Sequence, residues 1–414
     1  MRSAFAFFVR INGLLLLAVS LAGAADVPPH VPGRLLAAPR QGIDGNLLEY
    51  TLKLHAAVVR KHWPQIAVSV LEVPEESSEA ILESLRRTGL FDFVERDQYA
   101  HTAAQVPNDP GFVSQWHLTK IQSSEAWSVT TGSPSVVVAV IDSGVHATHP
   151  DLASNLVPGW NFVKSNSDTS DLLGHGTAVA GVIAAASNNG IGVAGVSWQS
   201  RMMPLLVVDE NDLATYSNIA EAIQYAADMG IRLINISAGG GAQSSALQSA
   251  VDYAWNKGAL IFASAMNNGA SDPYYPAACN HVMAVSATDN NDHLASFSNY
   301  GSWIAISAPG AGILTTTLGG GYAYWFGTSF SSPVVAGVAA LSLAVNPSLT
   351  NAELVTILEK SADDIGTPGY SASFGWGRVN AFNAVVAARQ ALMGPELVEK
   401  LPAAPMPIPR HPIR

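Results

Sequence analysis

The chain has almost no cysteine. Cys279 is the only one in 414 residues. An internal disulfide framework is therefore excluded, and so is any site built from several thiolates. A lone cysteine in "YPAACNHVMAV" reads as a small apolar filler. Charge is also scarce, at 13% of residues, and the balance is acidic, with a net charge of −11. No basic block occurs, which argues against nucleic acid as a partner. Beyond the first segment no apolar run resembles a transmembrane helix, so no stable membrane anchor is expected.

That first segment is a different matter. Arg2 and Arg10 give a positive start, "GLLLLAVSLAGA" supplies an apolar run, and "AGAAD" offers a small-residue cleavage site near Ala24. Residues 1–24 thus read as a signal peptide, which predicts a secreted protein, extracellular or periplasmic. Export without disulfides leaves a bound metal as one candidate source of added stability.

Residues near 31–103 form a distinct region. "LKLHAAVVRKHW", "IAVSVLEVP" and "FDFVERDQ" are strand-like or mixed. Between the latter two, "ESSEAILESLRRTGL" places Ile81, Leu82 and Leu85 on one helical face, with Ser77 or Ser78 to cap its start and Gly89 its end. This predicts a small α+β unit. From about Ala104 to Leu392 strands and helices alternate. "SVVVAVIDSG", "RMMPLLVVD", "IRLINISAGG" and "ALIFASAMN" read as strands, and "VMAVSATD" and "SWIAISAPG" as further ones. "GHGTAVAGVIAAAS", "LATYSNIAEAIQYAADMG", "SSALQSAVDYAWNKG" and the stretch after Ser329 read as helices, with "TNAELVTILEKSADDIG" closing the domain. Continuous apolar strands between helices imply an α/β fold with a mostly parallel sheet covered on both faces. Met202 and Met203 belong to its core. The helices after Gly174 and Ser329 are apolar nearly all round and should be buried. Residues 393–414 form a Pro-rich tail.

Sites on such sheets lie beyond the carboxyl ends of the strands. Asp142 ends the strand "VVVAVID", while His175 and Ser329 each stand where a loop enters a helix. All three should converge on one edge. An acid, an imidazole and a hydroxyl so placed suit nucleophilic catalysis: Asp142 orients the imidazole, His175 moves the proton, and Ser329 attacks a carbonyl. Taken singly, each has a plainer reading. Asp142 would be a turn former, His175 a satisfied loop residue, and Thr328 or Ser329 a helix cap.

"VIDSGVHATHPDL", "GHGTAVAG" and "GTSFSSPVVAG" resemble the three signature blocks of the subtilisin-like serine proteases, the subtilases, in the same Asp, His, Ser order. The resemblance covers roughly residues 104–392. It implies a subtilisin-like three-layer fold and a secreted serine endopeptidase acting through an acyl-enzyme. Residues 25–103 resemble the family's inhibitory propeptide, released by self-processing with a cut between Ala103 and Ala104. "FASAMNNGA" resembles the block that carries the oxyanion asparagine, which places that role on Asn267. "NISAGG" resembles the segment that pairs with extended substrate, so Ser237, Ala238 and Gly239 should wall the cleft. Tyr274 falls where the family has a residue at the base of the first pocket, and a phenol there implies a preference for small side chains.

"SNNGIGVAGV" resembles the family's calcium loop. It would offer the Asn189 side chain and the carbonyls of Ser187, Ile191 and Val193, with carboxylates from Asp109 and Asp151; hard oxygen donors of mixed type suit Ca²⁺. Its plain alternative is an Asn-Gly turn with two surface acids. The chain departs from the family pattern at Met266, where glycine usually precedes the oxyanion asparagine, at Ala178, where a second histidine is common, and at Phe330, Ser331 and Ser332. Expected partners are peptide substrates and the chain's own propeptide, with the protein otherwise monomeric. Two rivals stand beside this reading: a catalytically silent subtilase fold that only binds, and an esterase. The "GxSxG" elbow of the latter is not the motif around Ser329.

Overall fold

The computed structural model describes residues 30–98, 104–366 and 368–393. The signal segment, residues 99–103 beside the expected cut, and the Pro-rich tail lie outside the described residues. The chain divides into two compact units, Met1–Thr102 and Ala103–Arg414.

In the first unit, β1 (His30–Pro39), α1 (Gly45–Leu54), β2 (Val58–Trp63), β3 (Val68–Glu72), α2 (Ser78–Arg87) and β4 (Phe91–Gln98) follow in order. The strands form an antiparallel sheet in the order β2-β3-β1-β4. Ile81, Leu82 and Leu85 are buried along one face of α2, as their spacing requires, and meet Leu35, Leu71 and Val94 of the sheet. The start of α2 differs from expectation. Ser77 stands at the N-cap but makes no capping bond, because its hydroxyl turns back to the carbonyl of Pro74.

The second unit runs α3 (Trp116–Lys120), α4 (Ser123–Trp127), β5 (Val137–Asp142), β6 (Trp160–Asn161), α5 (His175–Ala184), β7 (Arg201–Leu206), α6 (Tyr216–Asp228), β8 (Leu233–Ile236), α7 (Ser245–Asn256), β9 (Leu260–Ser264), β10 (Val282–Thr288), β11 (Ile306–Pro309), β12 (Ala311–Thr317), β13 (Gly321–Phe326), α8 (Thr328–Val345), α9 (Asn351–Lys360) and α10 (Ala381–Met393). A seven-stranded sheet has the order β11-β10-β9-β8-β5-β7-β6, and every pairing in it is parallel. The alternation of side chains along β5 divides the core. Val138 and Val140 enter the cluster that holds α5, α8 and α10, while Ala139 and Ile141 enter the one that holds α6 and α7. Helices therefore cover both faces, which explains why the strands read as unbroken apolar runs. Met202 and Met203 are buried in these cores.

Helices α5 and α8 are buried along their length, and their small residues let them lie close to the strands. A β-carbon on Gly181 would collide with Thr315 and Thr316 of β12, and one on Gly337 would meet Val196 at 2.6 Å. Helix α8 is long and apolar enough to cross a bilayer, but 89% of it is buried inside the protein. The antiparallel hairpin β12–β13, not foreseen from the sequence, leads directly into α8.

Candidate active site

Asp142 is the last residue of β5, and its side chain is almost wholly buried. One carboxylate oxygen accepts the N–H of Ser143 at 2.7 Å and lies 2.8 Å from Nδ1 of His175. Its other oxygen has no partner among the described residues. With Nδ1 held as the donor, Nε2 is the nitrogen available to take a proton. Burial disfavours the imidazolium of His175. The charge and hydrogen bond of Asp142, with smaller contributions from Asp171 and Asp212, outweigh that effect and raise its pKa above the ordinary histidine value. The imidazole packs beside Phe330 and edge-on to Trp325, with ring centres 5.7 and 6.5 Å away.

His175 opens α5, and what holds that helix start is a residue the sequence did not single out. Oδ1 of Asp171 accepts the N–H groups of Leu173 and Gly174 and the hydroxyl of Ser143. Its Oδ2 accepts the N–H and the hydroxyl of Thr177. Ser143 in turn accepts the N–H of Gly176 at 3.0 Å. One buried carboxylate thus ties the turn after Asp142 to the first turn of α5 and fixes the two members of the pair against each other. The signal for it was an aspartate ahead of "GHGT", which alone reads as a turn former. Gly176 has to be glycine here, since a β-carbon would collide with the carbonyl of Gly144.

Ser329 lies in the first turn of α8. The capping reading does not hold: the N-cap is Gly327, with no side-chain cap, and both Thr328 and Ser329 are already helical. Pro333 explains part of the local design. It has no N–H to give the carbonyl of Ser329, and that carbonyl instead accepts the Ser237 hydroxyl at 3.0 Å. Buried Asn235 completes the link, donating to Ser237 at 3.1 Å and accepting from Ser332 at 2.7 Å. The Ser329 hydroxyl donates to the carbonyl of Ser237 at 3.4 Å, and no hydrogen bond joins it to His175 among the described residues. Ser237, Ala238 and Gly239 leave the end of β8, and Gly240 pairs with Tyr275.

Asn267 follows the end of β9. Its Oδ1 accepts both the N–H and the hydroxyl of Thr328, at 2.8 and 3.0 Å. The amide is therefore oriented, and Nδ2, beside Gly327, is the donor left over. Tyr274 lies against Gly241, two residues past Gly239, and it is the carbonyl of Tyr275 that faces Gly239.

The residues expected to hold calcium are brought together in a second place. Asp109 and Asp151 are buried, and no ion pair reaches either among the described residues. Burial raises the pKa of Asp109; N–H groups of Asn188 and Asn189 counter this, and the charge of Asp151 adds to it. Asp151 accepts from Asn189 Nδ2 at 2.9 Å and from the N–H of Val193 at 3.0 Å. The carbonyls of Ser187, Ile191 and Val193 accept no hydrogen bond among the described residues. The Asn189 amide presents its nitrogen to Asp151, and its oxygen accepts the N–H of Ile191 at 3.0 Å, so a half-turn that offered the oxygen to a cation would give up that bond.

The sequence model of the subtilase family matches residues 133–377. A thermophilic serine proteinase from Bacillus sp. strain AK1 is 43% identical over 309 residues, covering 74% of this chain and 76% of that protein. Thermitase from Thermoactinomyces vulgaris is 43% identical over 282 residues, covering 68% of this chain and 99% of thermitase. Among solved structures, a protease from Pseudoalteromonas arctica superposes with a TM-score of 0.62 at 34% identity, over 68% of this chain and 99% of that one.

Proposed function

The chain belongs to the subtilase family and is a serine endopeptidase; from that premise we propose that it cleaves peptide bonds through an acyl-enzyme on Ser329. The observation that carries this reading is the convergence of an oriented Asp142–His175 pair and an oriented Asn267 amide on the first turn of α8. In the reaction the Ser329 hydroxyl would turn from the Ser237 carbonyl toward Nε2 of His175. His175 takes the proton as Ser329 attacks, then gives it to the leaving amine, while Asp142 stabilises the imidazolium. The oxyanion meets Nδ2 of Asn267 and the N–H of Ser329, aided by the positive end of α8. One such donor is worth about 2.7–4 kcal/mol, a figure that comes from subtilisin, a member of this same family. Substrate backbone would pair with residues 237–239, with Tyr274 flanking that wall at Gly241.

The protein is made, in this reading, as a secreted precursor in which residues 25–103 inhibit the protease until it releases them. The boundary between compact units near Thr102 supports that division. Calcium would be held by Asp109, Asp151, the Asn189 amide oxygen and the carbonyls of Ser187, Ile191 and Val193. The support is chemical: two buried carboxylates without a cationic partner beside carbonyls without donors. When bound, the ion would neutralise the pair and lock the loop, a structural role outside the reaction itself.

Stopped-flow hydrolysis of a chromogenic ester tests the acyl-enzyme. A rapid burst equal to the concentration of active sites, absent in Ser329→Ala, is expected. Linear release from the first turnover together with full activity in Ser329→Ala would overturn it.

A further inference from the structure

Phe330, directly after Ser329, is one of the residues at which the chain departs from the usual subtilase pattern, and the fold gives that departure a place. Its side chain is buried, at 1% exposure, in the core that α8 shares with α5. The centre of its ring lies 5.7 Å from that of His175 and 5.4 Å from that of Trp325, near the end of β13. Trp325 in turn stands edge-on to His175 at 6.5 Å. Three rings, carried by α5, α8 and β13, thus close a triangle. Each pair lies within the span of about 4.5–7 Å over which aromatic rings pack favourably.

The imidazole has use for such neighbours. His175 is only half-buried, and its ring makes one hydrogen bond among the described residues, from Nδ1 to Asp142. That bond sets the tautomer, but a ring held at one atom can still pivot about it. Phe330 opposes the pivot because the packed core behind it leaves no room to retreat. Trp325 carries a second sign. Its indole N–H is buried with no acceptor among the described residues, which costs free energy that a phenyl ring would avoid. The reach of the ring, not its N–H, is what this position uses. Resting on the reading of His175 as the base for Ser329, we propose that Phe330 and Trp325 are positioning residues that hold the imidazole in place for proton transfer. They touch no reacting atom and act through His175 alone. A misplacement of about 1 Å costs about 100-fold in rate, so the fixed rings matter to turnover and not to binding.

The test measures hydrolysis of a peptide anilide by wild type, Phe330→Leu, Trp325→Leu and Trp325→Phe, and repeats Phe330→Leu in a His175→Ala background. Phe330→Leu should lower kcat by about 10–100-fold and leave KM within about 2-fold. Because the ring acts through the imidazole, the same change in His175→Ala should cost less than about 2-fold. Trp325→Phe should keep most of the activity that Trp325→Leu loses. In a Ser329→Ala background, the low-field proton resonance of the His175 Nδ1–H should be sharp in the parent and broadened by Phe330→Leu. Trp325→Leu, at a half-buried site, serves if Phe330→Leu folds poorly. Unchanged kcat in the folded leucine variants overturns the proposal. So does an equal loss from Phe330→Leu with and without His175, since the ring would then act on something else. Wild-type activity in His175→Ala would overturn the reading of His175 as base, a result distinct from the other two.

Discussion

Asp171→Asn keeps the shape of the side chain, removes its charge and converts one acceptor into a donor. Both oxygens of Asp171 face donors: Leu173, Gly174 and Ser143 on one side, both polar groups of Thr177 on the other. Wherever the amide nitrogen is placed, at least one backbone N–H loses its acceptor. Hydroxyls can rotate to adapt, but an N–H cannot. An orphaned buried N–H costs about 1–3 kcal/mol, and the surviving bonds lose their charge assistance, so a destabilisation of about 2–4 kcal/mol is expected. A second effect is kinetic. The Asp171 charge helps raise the pKa of His175 against burial. Without it the imidazolium is less stable, the base stays neutral at lower pH, and the acid limb of kcat/KM moves to lower pH. Urea unfolding in a Ser329→Ala background, which prevents autolysis, measures the first effect. A pH profile of active Asp171→Asn measures the second. An unfolding free energy within about 0.5 kcal/mol of the parent, inside ordinary surface scatter, with an unmoved acid limb would refute the positioning role.

Chelation should shorten the active lifetime sharply, with added Ca²⁺ restoring it, and Asp151→Ala should mimic the chelator. The raised pKa of Asp109 means protons compete for that site, so calcium affinity should fall as pH falls; a calorimetric titration at two pH values checks the sign. Ser329→Ala should accumulate a precursor lacking only the signal segment, and maturation of the pure variant at the wild-type rate would exclude self-processing. His117 is wholly buried with no partner on either ring nitrogen among the described residues, and burial pushes its pKa down to about 3. The folded state binds it neutral, so stability is complete above the ordinary value near 6.5 and is lost as pH falls from there toward 3. At about pH 5 the loss is about 2 kcal/mol, and His117→Leu should reduce the acid-dependent part of the shift in Tm.

The alternation of strands and helices was legible because parallel strands covered on both faces must be apolar throughout, as β5 and β9 are. The places of Asp142, His175, Ser329 and Asn267 were legible for the same reason: each stands at a junction that an apolar run marks. Asp171 was not, because its partners come from three separate turns and a single aspartate carries no trace of them. Thr328 looked like a cap because the competing acceptor, Asn267, is distant in sequence. The β12–β13 hairpin escaped notice because β13, "GYAYWF", has no clean alternation of apolar and polar residues. The position of Tyr274 against Gly241 depends on a loop whose path no periodicity encodes.

The proposed chemistry rests on Ser329 as a nucleophile activated by His175. Reaction of the mature enzyme with a fluorophosphonate, followed by peptide mass mapping, tests it most directly. A single adduct on Ser329 is expected, lost in Ser329→Ala and formed far more slowly in His175→Ala. An adduct elsewhere, or labelling of Ser329 that is indifferent to His175, would contradict it.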